Sequence, residues 1–298
     1  MIVARRLDAS RILRSVGRPL GALLAYDVAV TVLYVVLDQH WVAVQDLPLS
    51  LLGSALAVIL GLRNNNAYAR WWEARTLWGS AVNNSRSFAR GVLTLLGSGE
   101  AAAAQGAALV RLQIAWAHAL RLALRRQDPW EDLERLLPPA ALARVRGAAN
   151  VPTALQAELG RSLAEADRAG RLDSVRLAAL DRTLSDLANA QGGLERIKNT
   201  PLPRQFEQFP RVFVGAYCLL LPIGLVHDLG AATPFGSTVI GFAFYVLDQI
   251  GRDLEDPFEN TVHDVPMSAI TRTVEVDLRQ MLDEEAPRPL APVDGVLW

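Results

Sequence analysis

An all-α fold is predicted, with four membrane-spanning helices set two and two around a large cytoplasmic helical region. Three observations predict it. The chain of 298 residues is 51% hydrophobic yet 20% charged, which suits apolar spans joined to a soluble portion. Its apolar segments fall in two pairs, separated by the long charged stretch 63–211. No run alternates apolar and polar residues at the strand period of two for a useful length.

The elements follow in order. Residues 1–18 form an Arg-rich cytoplasmic segment, with Arg5, Arg6, Arg11, Arg14 and Arg18. Pro19–Leu37 carries one charge, Asp27, and about 20 apolar residues cross a ~30 Å hydrocarbon core. A signal-peptide apolar region is only about 7–15 residues long. This run is longer and is followed by Asp38, Gln39 and His40, so it reads as a retained first span. Leu47–Leu62 is the second span, short for a full crossing, with the polar stretch Arg63–Ser80 open to it as a continuation of the same helix. The third runs from about Val212 to Val226 and contains Pro222; the fourth runs from about Phe235 to Ile250. Proline is tolerated in a membrane helix where neighbours satisfy the freed backbone groups.

Charge asymmetry orients these spans. The loops 38–46 and 227–237 hold no Lys or Arg, whereas Arg residues flank the other end of every span. The positive-inside rule then places both termini and the middle in the cytoplasm. The organisation is 1–18 cytoplasmic, 19–62 the first two spans, 63–211 a cytoplasmic helical region, 212–250 the last two spans, and 251–298 a cytoplasmic C-terminal region. Ala107–Leu124 is a fifth candidate, but Arg111, Gln113, His118 and Arg121 make it look amphipathic, a cytoplasmic helix buried on one face. The stretch 125–196 reads as several soluble helices broken at Pro138-Pro139 and Pro152. The Pro-rich tail 284–298 reads as irregular or partner-wrapping.

Several function classes lack support. A net charge of -1 gives no argument for nucleic acid as a partner. The single Cys218 excludes an intrachain disulfide and reads as a small buried hydrophobe. The four His residues have no metal-ligand spacing. His263 and Asp264 lie near Glu259, but no nucleophile, oxyanion motif or Gly-rich phosphate loop accompanies them, so no enzyme is expected and no organic cofactor. Asp27 is an intramembrane carboxyl, for which structural and functional roles stand level. Trp71, Trp72 and Trp78 read as packing or interfacial anchors. Asn64, Asn65 and Asn66 read as surface or inter-subunit hydrogen-bond groups.

The second span is the most informative. Gly53, Ala57 and Gly61 lie four apart, a small-residue face that admits close helix approach. Ser54, Val58 and Leu62 form the adjacent face, also four apart and ~12 Å long. Spacing alone favours lipid-facing or bundle-facing side chains. The motifs add more: Leu47-Pro48, Leu60-Gly61-Leu62, Arg70-Trp71-Trp72, Pro201-Leu202-Pro203 and Asp256-Pro257-Phe258. In these, and in its topology, the sequence resembles the bestrophin family over about residues 1–285.

The resemblance implies a homopentameric channel in the bacterial inner membrane, passing small monovalent ions along one central pore. Ser54, Val58 and Leu62 would face the axis as an apolar neck, and Leu202 would form a second constriction at the cytoplasmic end. An apolar ring gates by dewetting and offers no ligand that holds an ion tightly. Ser54 departs from the family's bulky apolar residue there, which implies a wetter neck. Chloride is the family's best-known ion; a neutral neck does not dictate sign, so a cation such as sodium stays open. Asp253 and Asp256 match two positions of the calcium clasp of eukaryotic members. The acidic run that follows in those members is replaced by Glu259, Asn260, Thr261 and Val262. That falls short of the about 6–8 oxygens calcium takes, so no metal is expected. A secondary transporter and a non-conducting membrane scaffold are the competing classes.

Overall fold

The structure is a computed structural model that describes residues 1–3 and 9–298; the side chains of 9–12 and of Glu207 are outside the description. Arg5 and Arg6 of the expected basic start therefore lie outside the described residues, as does the side chain of Arg11. Among the described residues the chain forms ten α-helices and no strand. They are α1 (Ala9–Thr31), α2 (Leu49–Leu95), α3 (Glu100–Leu124), α4 (Trp130–Leu136), α5 (Pro139–Val145), α6 (Val151–Arg168), α7 (Ser174–Asn199), α8 (Arg204–Leu229), α9 (Thr233–Glu255) and α10 (Met267–Gln280). They belong to two compact units. One comprises the chain from α1 to Trp71 with Pro201–Asp256; the other comprises Trp72–Thr200 and Pro257–Trp298 with the N-terminal residues.

The first unit holds the apolar helices. α1 runs on through a π-helical turn, Val32–Val36. α8 continues through Pro210 and Pro222, and only the short 3-10 turn Gly230–Ala232 separates it from α9. Leu23 of α1, Leu56 and Leu60 of α2, and Val214, Tyr217, Cys218 and Leu221 of α8 form one buried cluster. Cys218 is a buried member of it, as the sequence indicates.

By length and composition, three stretches suit a membrane crossing: Leu13–Val36, Glu100–Leu124 and Arg204–Glu255, the last containing both α8 and α9. Of these, α3 differs in kind. Its apolar window is 72% buried, against 22% for the α1 stretch and 33% for the α8–α9 stretch. Helices whose apolar surface stays uncovered need lipid or another chain to cover it.

In the second unit α3 is the central helix, packed by α4, α6, α7 and α10. From Leu112 to Leu120 every residue is buried, so the expectation of burial on one face is corrected for the middle of α3, which is enclosed all round; towards its ends Ala103, Ala104, Ala108, Arg111 and Ala123 stay exposed. Several of its polar groups find partners inside. Gln113 donates to the Ser85 hydroxyl at 2.9 Å and Trp116 Nε1 donates to Gln191 Oε1 at 2.9 Å. His118 Nε2 faces Glu275 Oε2 at 3.1 Å, and its Nδ1 faces Asp132 Oδ2 at 3.4 Å. Pro139 and Pro152 occupy the first turns of α5 and α6, where a missing N–H costs nothing. Asn150 caps α6 by accepting from Thr153 N, and Asp173 caps α7 by accepting from Val175 N and Arg176 N. The C-terminal tail is irregular and lies on its own chain. Leu297 N donates to Met1 O, Val3 N to Gly295 O, and Ala269 N to Trp298 O.

Candidate functional site

α2 is 47 residues long and begins directly after Pro48. That is ~70 Å of helix, more than twice a ~30 Å hydrocarbon core, so the apolar segment and the polar one beyond Arg63 belong to one helix. No proline interrupts it. Its buried positions recur every seven residues: Gly53, Leu60, Ala67, Ala74, Ala81 and Phe88. A second set, Leu56, Arg63, Trp78, Ser85 and Val92, is buried beside them. Alternating steps of three and four keep one side of a long helix facing its supports.

Ser54, Val58 and Leu62 occupy the opposite side. Val58 is 62% exposed and Leu62 63%, although both are large and apolar. Ser54 is exposed too; its hydroxyl donates to Ser50 O at 2.7 Å within the helix. The structure thus brings three of the sequence-identified residues onto one free face. The small-residue face divides. Gly53 is closely approached: a Cβ there would lie 2.6 Å from the Tyr217 hydroxyl oxygen. Ala57 and Gly61 are exposed within the chain, and nothing lies within 4 Å of a Cβ built at Gly61.

A polar clamp missing from the sequence reading fixes the helix immediately after Leu62. Arg63 Nη1 donates to Asp248 Oδ1 of α9 at 2.5 Å, and both side chains are 3% exposed. Arg252 Nη2 lies 3.2 Å from the other Asp248 oxygen, and Glu255 lies 3.8 Å from Arg63. Asn64 Nδ2 donates to Leu247 O at 2.9 Å. Gly251 is the point of approach, since a Cβ there would stand 3.4 Å from the Arg63 guanidinium and collide with the Asn64 amide oxygen. The signal for this clamp was a lone Asp248 inside the fourth apolar segment. Asp27 of α1 is also satisfied: it is fully buried and accepts from Ser237 Oγ at 2.9 Å and Thr238 Oγ1 at 2.8 Å, both on α9.

The remaining candidates stand on other segments. Leu202 is half-buried in the stretch 201–203 between α7 and α8, held between two prolines. Asp253 accepts from Gln249 Nε2 at 2.6 Å one turn back along α9, and Asp256 is the C-terminal cap of that helix. Among the described residues no three His, Cys, Asp or Glu side chains converge in a way that would hold a metal ion. Asp264 closes its own loop by accepting from Asn260 N at 2.6 Å and from the Thr261 hydroxyl. Of the three tryptophans, Trp78 is fully buried and Trp72 is 55% exposed.

Known proteins resemble this arrangement along most of its length. The family described as Bacterial/Fungal Bestrophin protein matches residues 3–280. A voltage-dependent anion channel-forming protein of Salmonella typhi is 40% identical over 237 residues, 80% of this chain and 77% of that protein. One of Escherichia coli K12 is 39% identical over 246 residues, 82% of this chain and 80% of its own. The crystal structure of a bacterial bestrophin homolog from Klebsiella pneumoniae superposes with a TM-score of 0.83. It is 31% identical and covers 89% of this chain and 98% of that one.

Proposed function

The chain belongs to the bacterial and fungal bestrophins, and from that premise we propose that it is one subunit of an anion channel whose pore is walled by α2. Copies surround an axis, five by the family pattern. Ser54, Val58 and Leu62 form stacked neck rings, and Leu202 forms a second constriction. The observation that carries this reading is the exposure of Val58 and Leu62 on a helix whose opposite side is locked into its own chain. An apolar face held rigidly outward is what a dewetting ring requires.

The spans are α1, the first part of α2, α8 and α9, with both termini and the region between α2 and α8 on the cytoplasmic side of the inner membrane. The names of the relatives favour an anion over a cation, and chloride is the small monovalent anion the family resemblance implies. Asp27, the one carboxyl a transporter would want near the midplane, is engaged by two hydroxyls, which favours a structural part for it. Asp253 and Asp256 act as helix-end groups in this reading, without a metal.

Purified protein in a planar bilayer tests the proposal. Discrete current steps are expected, with a reversal potential in asymmetric potassium chloride on the chloride side. Saturable flux without steps would replace the channel with a transporter, and silence with a stoichiometric partner would leave a scaffold.

A further inference from the structure

The buried side of α2 recurs every seven residues along the helix Leu49–Leu95, and the exposed residues can be followed at the same interval. Counting by sevens, Ser54 leads through Gly61 and Tyr68 to Arg75. Val58 leads through Asn65, Trp72 and Gly79 to Arg86. Leu62 leads through Ala69, Thr76 and Asn83 to Arg90. Every member of the third row is exposed. Each row begins at one neck residue and reaches one arginine, and none of the three contains an acidic residue.

The arginines differ in their partners. Arg86 is neutralised by Asp277 of α10, its Nε donating to Oδ2 at 2.7 Å. Glu73, the one acidic residue of α2, is paired with Arg196 of α7 at 2.5 Å. Arg75 and Arg90 are both exposed. Arg75 borders an open groove of about 720 Å³ shared with Thr76, Ser80, Asn83 and Asn84; Arg90 borders a second of about 350 Å³ with Ser87 and Thr94. Hydroxyl and amide donors beside a guanidinium form an anion-favouring wall that holds no ion tightly.

We infer that Arg75 and Arg90 set the sign of the permeant ion, supplying fixed positive charge along the conduction path on the same helical rows as the neutral neck. This rests on the pore reading above. The neck admits whatever enters once wetted and does not choose. The choice lies in the charge beyond it, which raises the local concentration of anions and repels cations, multiplied by the number of copies around the axis. The donors carry no carboxylate to offset it.

The full chain, purified and placed in planar bilayers under a potassium chloride gradient, provides the test through permeability ratios. Wild type is expected to form steps with anion preference. That preference should fall as salt rises from ~0.1 M to ~1 M, because the screening length shrinks from about 10 Å to about 3 Å. Arg75→Glu with Arg90→Glu is expected to lower the chloride-to-potassium ratio on the order of tenfold, while Arg75→Lys and Arg90→Lys retain it. Steps with an unaltered ratio in the double Glu variant overturn the inference and leave the channel standing. So does a wild-type preference for potassium. An absence of steps in wild type overturns the channel reading itself, and the inference falls with it. If the Glu variant does not assemble, Arg75→Gln and Arg90→Gln are scored singly, and the salt dependence of wild type needs no variant.

Discussion

Val58 and Leu62 separate two kinds of apolar residue that a sequence cannot tell apart. A leucine that packs in a core typically costs about 2–5 kcal/mol when cut to alanine. Leu62, 63% exposed in the chain, supports little of its own fold. Leu62→Ala and Val58→Ala are therefore expected to leave protomer stability within about 0.5 kcal/mol while raising single-channel current, because a ring of smaller side chains is wider and stays wet more often. Ser54→Ile should act in the opposite direction and lower current. An unchanged conductance in any of the three, with folding intact, would remove that residue from the neck. Asp248 is the opposite case, a charged residue on which its own fold depends. Asp248→Asn leaves the Arg63 guanidinium, 3% exposed, without its charge partner. The loss of one member of a buried pair costs about 3–5 kcal/mol, so a clear fall in melting temperature is expected, together with altered currents as α2 turns on its axis. Current that changes without any loss of stability would show that the clamp does not hold the helix.

Element by element, the sequence disclosed what periodicity and charge carry and missed what enclosure decides. The apolar stretches within α1, α8 and α9 and the exposed face Ser54–Val58–Leu62 were readable, since each is written in local spacing. So was the run from the second span into the polar stretch, although its length to Leu95 was not. Pro138-Pro139 and Pro152 looked like breaks and fall at them, α4 ending at Leu136 and α5 at Val145; Pro139 and Pro152 then open the next helices, because the first turn has no use for the N–H that proline lacks. α3 looked amphipathic because Gln113 and His118 are polar. Their partners, Ser85, Glu275 and Asp132, come from α2, α10 and α4, which no local pattern reveals. That His118 cluster has a pH signature. Burial alone would raise the Glu275 carboxyl, but the His118 hydrogen bond and charge, with Arg135 and Arg272, outweigh it and hold the group down at about 2. Asp132, bonded to His118 against its own burial, is likewise held at about 2. A carboxyl depressed in the folded state contributes stability that is present above its ordinary value of 4.5 and is lost as pH falls toward 2. Melting temperature should therefore drop steeply between those limits in wild type and less so in Glu275→Gln. That variant, which leaves several cations facing a neutral amide, should be less stable at pH 7 by about 3 kcal/mol. A parallel pH profile in the two proteins would rule out Glu275 as the titrating group.

At the scale of the whole molecule, the question is what covers the outward face of α2. Lipid would suit Val58 and Leu62, but the same face carries Asn65, Thr76 and Asn83 further along one unbroken helix. A helix whose exposed residues are apolar near Val58 and mostly polar beyond Arg63 suits a throat that opens into water. No single copy can form that throat, because a ring needs neighbours and closed symmetry supplies them. The apolar stretches of α1, α8 and α9 are largely uncovered within one chain and are free to take lipid on one side and a neighbour on the other. Light scattering of the detergent-solubilised protein, corrected for bound detergent, is expected to give a protein mass five times the chain's 32.5 kDa. That mass should persist in Leu62→Ala, where only the throat is altered. It should fall apart when bulky residues are placed on the uncovered flank of α2, for example Ala55→Trp, beside the apolar groove lined by Ile59 and Phe213. A stable monomer or dimer that still shows current steps would move the conduction path into a single subunit and away from α2.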